Sequence, residues 1–282
     1  MKTFLIVVAA LAVVVAAASA SQQERRVQVG YCSTLANVDA AKAAGFDYLE
    51  LGTSELAGLT DEAFEQAVAR IKAVGLPVPV TNLFVPASIK LTGPEANPTQ
   101  QMEYVEKAFG RLQRLGTGIV VFGSGGARRI PEGFAREEAW KQLVDFGRRA
   151  AEEAKAHGIT IAIEPLRRQE SNIINSAAEG LELVTAIGHP NFQLMIDFYH
   201  LASEKEDPAI VVRAKDHLRH LHMANPQGRV FPLVWEEFDY APFFANLKKI
   251  GYDKRISVEA GSKDIPAEGA RAVALLRRAF QP

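Results

Sequence analysis

The sequence predicts a single (β/α)8 TIM barrel, and three observations support this fold. Short apolar runs alternate with longer amphipathic stretches along the chain. Helical stretches repeatedly close on glycine, which adopts a left-handed conformation after a helix at little cost. These glycines are Gly45, Gly75, Gly116, Gly158, Gly188 and Gly251. Single polar residues follow the later apolar runs, as expected where parallel strands share one functional face.

Strict alternation of strand and helix requires parallel pairing, and eight rounds close into a barrel. We expect strands at 27–31, 48–51, 78–82, 119–122, 159–163, 192–196, 218–221 and 256–258. We expect the main helices at 61–73, 101–115, 137–156, 176–187, 240–250 and 267–280. An open, doubly wound sheet is the structural alternative. The 282 residues fit one barrel, because such domains run to about 250 residues.

Two long loops, 84–98 and 225–242, are predicted to wall the functional face. Their large aromatic residues could form an apolar platform for a sugar ring. These residues are Phe84, Trp235 and Phe238.

The N-terminal segment predicts export. An apolar run at 4–15 is followed by Ala18-Ser19-Ala20, which has the small-x-small pattern of a signal-peptidase site. We expect residues 1–20 to be a signal peptide and 21–282 to be the barrel domain. The mature protein would then be periplasmic or secreted, without a stable membrane anchor. An uncleaved anchor is the alternative.

Composition argues against nucleic acid as a partner. The formal net charge is −1 at pH 7 and the charged residues are interspersed, whereas a nucleic-acid-binding protein usually concentrates positive charge on one face. The single cysteine, Cys32, cannot form an internal disulfide, and we assign it no role.

Four residues with metal-binding chemistry each stand at the end of a separate apolar run. They are Glu164, Asp197, His222 and Glu259. One acidic residue at a strand end often only caps the following helix, but four after consecutive strands predict a shared metal site. Three carboxylates and an imidazole suit Mn²⁺, Mg²⁺ or Co²⁺ and can hold Zn²⁺.

The motifs around these residues resemble the xylose isomerase-like TIM barrels of the sugar phosphate isomerase/epimerase family, with the ketose 3-epimerases closest in pattern. The matching segments are Ile163-Glu164-Pro165-Leu166, Glu170-Ser171-Asn172, Ile196-Asp197-Phe198-Tyr199-His200, His220-Leu221-His222 and Ser257-Val258-Glu259. The resemblance covers essentially the whole predicted mature chain.

This resemblance implies roles for individual residues. Glu164 and Glu259 would bind one divalent metal ion, with Mn²⁺ ranked first, and would also act as the acid/base pair. Asp197 and His222 would be ligands only. The resemblance further implies three substrate-binding residues, His200, Glu170 and Arg229. Arg229 lies one residue later after the histidine than in the epimerases, which puts its role in doubt.

The activity implied is a metal-dependent sugar isomerase or epimerase. It would remove a proton next to a ketose carbonyl through a metal-held enediolate. The same proton abstraction could instead expel a leaving group, so a lyase acting on keto-sugars or 3-keto-glycosides is the main alternative. A DNA-repair endonuclease and a non-catalytic sugar binder are weaker alternatives. The substrate would be a small carbohydrate, and the sequence leaves a homo-oligomer open.

Three further features have less specific interpretations. The glycine-rich segment 123–126 with Arg128 and Arg129 could bind an anion, but a flexible lip with surface arginines is favoured, because the segment lacks the ending of a P-loop. Glu50 could contact substrate or cap a helix. His220 shares a strand face with His222, so we expect it to pack one layer deeper.

Overall fold

The computed structural model describes residues 27–281, which form a closed barrel of eight parallel strands in sequence order. The strands are β1 (Gln28–Cys32), β2 (Tyr48–Gly52), β3 (Val80–Asn82), β4 (Ile119–Phe122), β5 (Thr160–Ile163), β6 (Phe192–Asp197), β7 (Leu218–Met223) and β8 (Arg255–Val258). Strand β1 pairs with β8, with Val29 opposite Ile256. This closure confirms the predicted barrel and excludes an open sheet.

Eleven α-helices connect the strands within the described residues. They are α1 (Val38–Ala43), α2 (Thr53–Gly58), α3 (Asp61–Val74), α4 (Pro98–Leu115), α5 (Gly125–Arg128), α6 (Arg136–Ala156), α7 (Ala177–Ile187), α8 (Phe198–Ser203), α9 (Ile210–Arg213), α10 (Ala241–Lys249) and α11 (Ile265–Ala279). The six predicted helices are confirmed to within three residues at each end. The five short helices were not predicted, because four to six residues are too few to show a helical period.

The predicted glycine joints are confirmed. All six glycines have positive φ, between 64° and 81°. In α3 the Gly75 amide donates to the carbonyls of Ile71 and Lys72, so the last turn is closed before the chain enters β3.

The core has two apolar layers. The larger one lies between the sheet and the helices, and a smaller one fills the barrel interior. The interior layer consists of Tyr48, Val80, Val121, Ala162 and Met195. On β5 and β6, Ala162 and Met195 stand two residues before Glu164 and Asp197, so these two polar side chains at the strand ends rest on an apolar layer.

The predicted aromatic platform is wrong. Phe84 is completely buried and stacks on Phe109, with ring centroids 5.2 Å apart. Trp235 packs on Phe244, and Phe238 packs edge-on against another ring. Phe84 therefore cannot contact a ligand, and the half-buried Trp235 and Phe238 pack on other rings without forming a platform with it.

The predicted signal peptide, residues 1–20, lies outside the described residues, so export stays a prediction. Between residues 27 and 281, no helix combines the length and apolar character needed to cross a membrane.

Candidate active site

The four predicted metal ligands meet at the carboxyl ends of the last four strands. Glu164 follows β5, Asp197 ends β6, His222 lies in β7 and Glu259 follows β8. Asp197 and His222 stand directly opposite each other in the β6–β7 register. Each residue offers one ligand atom, and the four atoms lie within 4.8 Å of one another. The barrel therefore brings together residues that are up to 95 positions apart in sequence.

The acceptor atoms at the centre fit a cation. Glu164 Oε1 and Asp197 Oδ2 are buried and have no hydrogen-bond partner in the described part of the chain. Such acceptors are costly unless a positive group satisfies them. Burial, followed by the nearby charge of Glu259, raises the pKa of Asp197 to about 8. Three crowded carboxylates and one imidazole match the donor set of a hard or borderline divalent metal.

Glu259 is the most readily ionised of the three candidate carboxylate ligands. Burial by itself would raise its pKa, but His222 and Arg229 outweigh burial and lower the pKa to about 2. Asn82 at the end of β3 also donates through Nδ2 to Glu259 Oε1 at 3.3 Å. Sequence reasoning gave Asn82 no role, although its position at a strand end was a usable signal.

The His222 ring joins this centre to the barrel interior. Its Nδ1 lies 3.2 Å from Glu259 Oε2 and 3.4 Å from Glu164 Oε1. Its Nε2 lies 2.8 Å from Glu50 Oε1 and 3.6 Å from Cys32 Sγ. One ring nitrogen thus faces the candidate metal site, and the other faces a buried carboxylate.

Both predicted roles of Glu50 are wrong. Its side chain is completely buried and so cannot contact a substrate, and helix α2, which begins immediately after β2, has no side-chain cap. Glu50 Oε2 accepts from His220 Nε2 at 2.9 Å and from Ser257 Oγ at 2.6 Å. Burial would raise the pKa of Glu50, but His222 and His220 outweigh it and hold the pKa well below its ordinary value. The deeper placement predicted for His220 is confirmed.

His200 presents one free donor to the site. It lies on α8, and its Nδ1 accepts from the Arg167 amide at 3.2 Å, so the proton of the neutral ring is on Nε2. Burial lowers the pKa of His200 to about 3, which keeps the ring neutral. Nε2 lies 3.6 Å from Asp197 Oδ2. It also lies 3.9 Å from Glu164 Oε1 and 3.9 Å from Glu170 Oε2. No hydrogen bond within residues 27–281 uses this donor.

Arg229 reaches the carboxylate cluster despite its offset in sequence. Its Nη2 lies 2.7 Å from Glu259 Oε2 and 3.6 Å from Asp197 Oδ2, and its Nη1 lies 3.6 Å from Glu170 Oε1. The guanidinium also lies 4.5 Å from the centre of the Tyr199 ring. The backbone at Arg229 has a φ of 50°, a strained conformation for a side chain of this size. The loop after β7 therefore turns sharply to deliver Arg229.

The glycine-rich loop after β4 packs against the site carboxylates. A Cβ on Gly123 would lie 2.3 Å from Glu164 Oε2, and one on Gly125 would lie 2.7 Å from the Glu170 carbonyl oxygen. Only glycine permits this approach. The loop therefore packs closely against the Glu164 side chain and the Glu170 backbone.

The prediction of surface arginines is wrong for Arg128. This side chain is completely buried, and its guanidinium donates to the carbonyl oxygens of Phe122, Glu164 and Ile174 at 3.2, 2.8 and 3.5 Å. Burial lowers its pKa to about 10, so it remains charged at neutral pH. Arg129 is exposed and donates to one backbone carbonyl. Arg128 therefore ties the end of β4 to the end of β5.

A cavity of about 550 Å³ opens onto these groups. Its polar lining includes Glu164, Glu170, His200, Arg229 and Glu259. Its apolar lining includes Leu83, Val85, Pro86, Ala87 and Leu166. Leu83 is 57% exposed. A molecule with several hydroxyls at one end can therefore bind with its carbon skeleton against an apolar wall.

Comparison with known proteins agrees with this geometry. The chain matches the family of xylose isomerase-like TIM barrels over residues 38–279, and it belongs to that family. An L-ribulose 3-epimerase from Mesorhizobium japonicum is 28% identical over 241 residues, which are 83% of this chain and 77% of the relative. A D-psicose 3-epimerase from Ruminiclostridium cellulolyticum is 26% identical, covering 79% and 76%.

The crystal structure of a D-allulose 3-epimerase from Methylomonas sp. superposes with a TM-score of 0.79 at 25% identity, covering 90% of this chain and 98% of that one. These three relatives are epimerases, and this chain is an enzyme of the isomerase class.

Proposed function

We propose that this protein is a divalent-metal-dependent ketose 3-epimerase, which inverts the carbon next to the ketose carbonyl. The observation that carries the proposal is the convergence of Glu164, Asp197, His222 and Glu259 within 4.8 Å beside a cavity of about 550 Å³. The names of the relatives, which include L-ribulose and D-psicose 3-epimerases, supply the substrate class.

The four residues would hold the ion through three carboxylates and His222 Nδ1. A bound divalent metal withdraws electron density from a carbonyl and its neighbouring hydroxyl, so the adjacent C–H becomes acidic enough for a carboxylate to remove. We rank Mn²⁺ first, with Mg²⁺, Co²⁺ and Zn²⁺ as alternatives, because oxygen ligands outnumber nitrogen.

Two glutamates are available for the proton transfers. Glu164 follows β5 and Glu259 follows β8, so β6 and β7 separate them around the barrel and they approach the cavity from different sides. One carboxylate takes the proton from C3 of the sugar, and the other returns a proton to the opposite face of that carbon. The sugar gains and loses one proton, and only its configuration changes.

Three other residues orient the sugar. His200 Nε2–H is a neutral donor without a partner in the described chain, so it can donate to a sugar oxygen. Arg229 offers charged donors, and Glu170 has an oxygen within 3.9 Å of His200 Nε2. Together they can hold hydroxyl groups in place while proton transfer proceeds, which lowers the entropic cost of the reaction.

The experiment is turnover of free ketoses in D₂O by the Mn²⁺-loaded enzyme, with product analysis by NMR after removal of the metal. L-Ribulose, D-psicose, D-tagatose and a 3-keto-glycoside form the panel. We expect deuterium at C3 and the C3 epimer from at least one free ketose. An enone with a released aglycone would instead establish the lyase, and no product from any sugar with Mn²⁺ bound would contradict the proposal.

A further inference from the structure

The barrel interior beneath the site contains a polar network that the proton-transfer steps do not use. Glu50, His220, His222 and Ser257 are each completely buried, and Tyr48 lies beside them. The Tyr48 hydroxyl lies 2.8 Å from Ser257 Oγ, and Ser257 donates to Glu50. A buried ionised carboxylate without a compensating partner is destabilising. Among the described residues, only histidines lie within ion-pair distance of Glu50.

The contacts divide the two oxygens of Glu50 between two tasks. Oε2 accepts from Ser257 Oγ and His220 Nε2, at 2.6 and 2.9 Å. Oε1 is left for His222 Nε2, at 2.8 Å. The carboxylate is thus anchored on one side by strands β7 and β8 and aimed on the other side at the candidate metal ligand.

A neutral imidazole has one N–H and one lone pair. The His222 ring can offer a lone pair from Nδ1 to a cation only when its proton is on Nε2. Glu50 Oε1 is a charged acceptor at the correct distance for that proton, whereas Cys32 Sγ, at 3.6 Å, is a weak one. Carboxylate–histidine pairs of this kind orient metal ligands and raise their basicity.

We infer that Glu50 is a positioning residue, which holds His222 with its proton on Nε2 and its Nδ1 lone pair towards the cation. The inference rests on the metal site of the proposed function, but not on the identity of the sugar. It also accounts for a carboxylate deep in a barrel where an apolar side chain would be less costly.

Calorimetric titration of metal-stripped protein with Mn²⁺ tests this role. Glu50→Gln keeps the shape of the side chain, but its neutral amide oxygen is a weaker acceptor than a carboxylate oxygen, and its NH₂ group faces a donor from which Glu50 now accepts a hydrogen bond. We expect its Mn²⁺ dissociation constant to rise by roughly 10- to 100-fold. Ser257→Ala is the matched control, because it removes a bond to Oε2 and leaves the Oε1–His222 contact in place. We expect a much smaller rise for that variant, because Glu50 keeps its contacts with both histidines.

A second measurement needs no variant and so remains decisive if Glu50→Gln fails to fold. In ¹⁵N NMR of the Zn²⁺-loaded wild type, His222 should carry its proton on Nε2. A proton on Nδ1, or a folded Glu50→Gln variant with wild-type Mn²⁺ affinity, would overturn the inference. Wild-type protein that binds no Mn²⁺ would overturn the proposed metal site as well. Tight Mn²⁺ binding without epimerisation would overturn only the proposed reaction.

Discussion

The two halves of the barrel differ in what they contribute to the site. Strands β5–β8 end in all four candidate metal ligands. Strands β1–β4 supply groups that surround or support those ligands, including Glu50, Asn82, Gly123 and Leu83. Reactive groups and many of the groups that place them therefore come from different parts of the sequence. Substitutions in the first half should therefore act through the second.

The largest effect is expected from a glutamate of the second half. Glu164→Gln removes one member of the acid/base pair, so kcat should fall by on the order of 10³-fold. Steady-state turnover of an accepted ketose at saturating Mn²⁺ measures this. Glu170→Gln is the matched control, because Glu170 lies at the cavity without being a candidate metal ligand. We expect that control mainly to raise KM, and equal losses of kcat in both variants would contradict the assignment.

A glycine of the first half should have the next largest effect. A Cβ at Gly123 would lie 2.3 Å from Glu164 Oε2, so Gly123→Ala must displace that carboxylate. A misplacement of about 1 Å can cost on the order of 10²-fold in rate. The control is Gly118→Ala, because a Cβ there meets nothing within 4 Å. If both variants retain full kcat/KM, the loop after β4 does not constrain Glu164.

The link between the halves should also appear in stability. Arg128→Met removes a buried charged donor from three backbone carbonyls. The free energy of unfolding should fall by roughly 3 kcal/mol, because the carbonyls lose their partner. Urea unfolding measures this. The neighbouring exposed substitution Arg129→Met should change stability by less than about 0.5 kcal/mol. Similar values for the two variants would show that Arg128 does not join β4 to β5 energetically.

The smallest effect is expected at the cavity wall. Leu83 is 57% exposed and lines the cavity, so Leu83→Ala should raise KM by roughly threefold to tenfold through lost apolar contact. Stability should be unchanged. Val234 is similarly exposed, at 43%, but does not line this cavity, and Val234→Ala should leave KM unaltered. If the KM of Leu83→Ala equals that of the wild type, the apolar lining at Leu83 does not contribute to substrate binding.

The fold was predictable because its signals are local. Apolar runs and helix-ending glycines such as Gly75 and Gly188 report on one βα unit at a time. The four candidate ligands were predictable for a related reason, since each is the first ligand-type residue at a strand end. Once the strands close into a barrel, these ends have to meet.

The supporting groups were harder to predict because their roles depend on side chains from distant strands. Glu50 lies in an apolar run, and the two-residue period of a strand places it on the same face as Tyr48, which packs inside the barrel. This alternation of side chains along the strand could have placed Glu50 inside the barrel. It could not have identified His220 and Ser257 as its partners, because they lie on β7 and β8, which do not pair with β2, and the contacts form across the closed barrel. The burial of Arg128 likewise depends on a loop more than 30 residues away in sequence.

The most direct test of the metal site is the anomalous difference map of a crystal soaked with Mn²⁺. We expect one strong peak per chain, bound by Glu164, Asp197, Glu259 and His222 Nδ1. A second group of ligand-type atoms, from Cys32, Glu50 and His222, lies just below, so the position of the peak is informative. A peak on the Nε2 side of His222, or no peak in this cavity, would contradict the account.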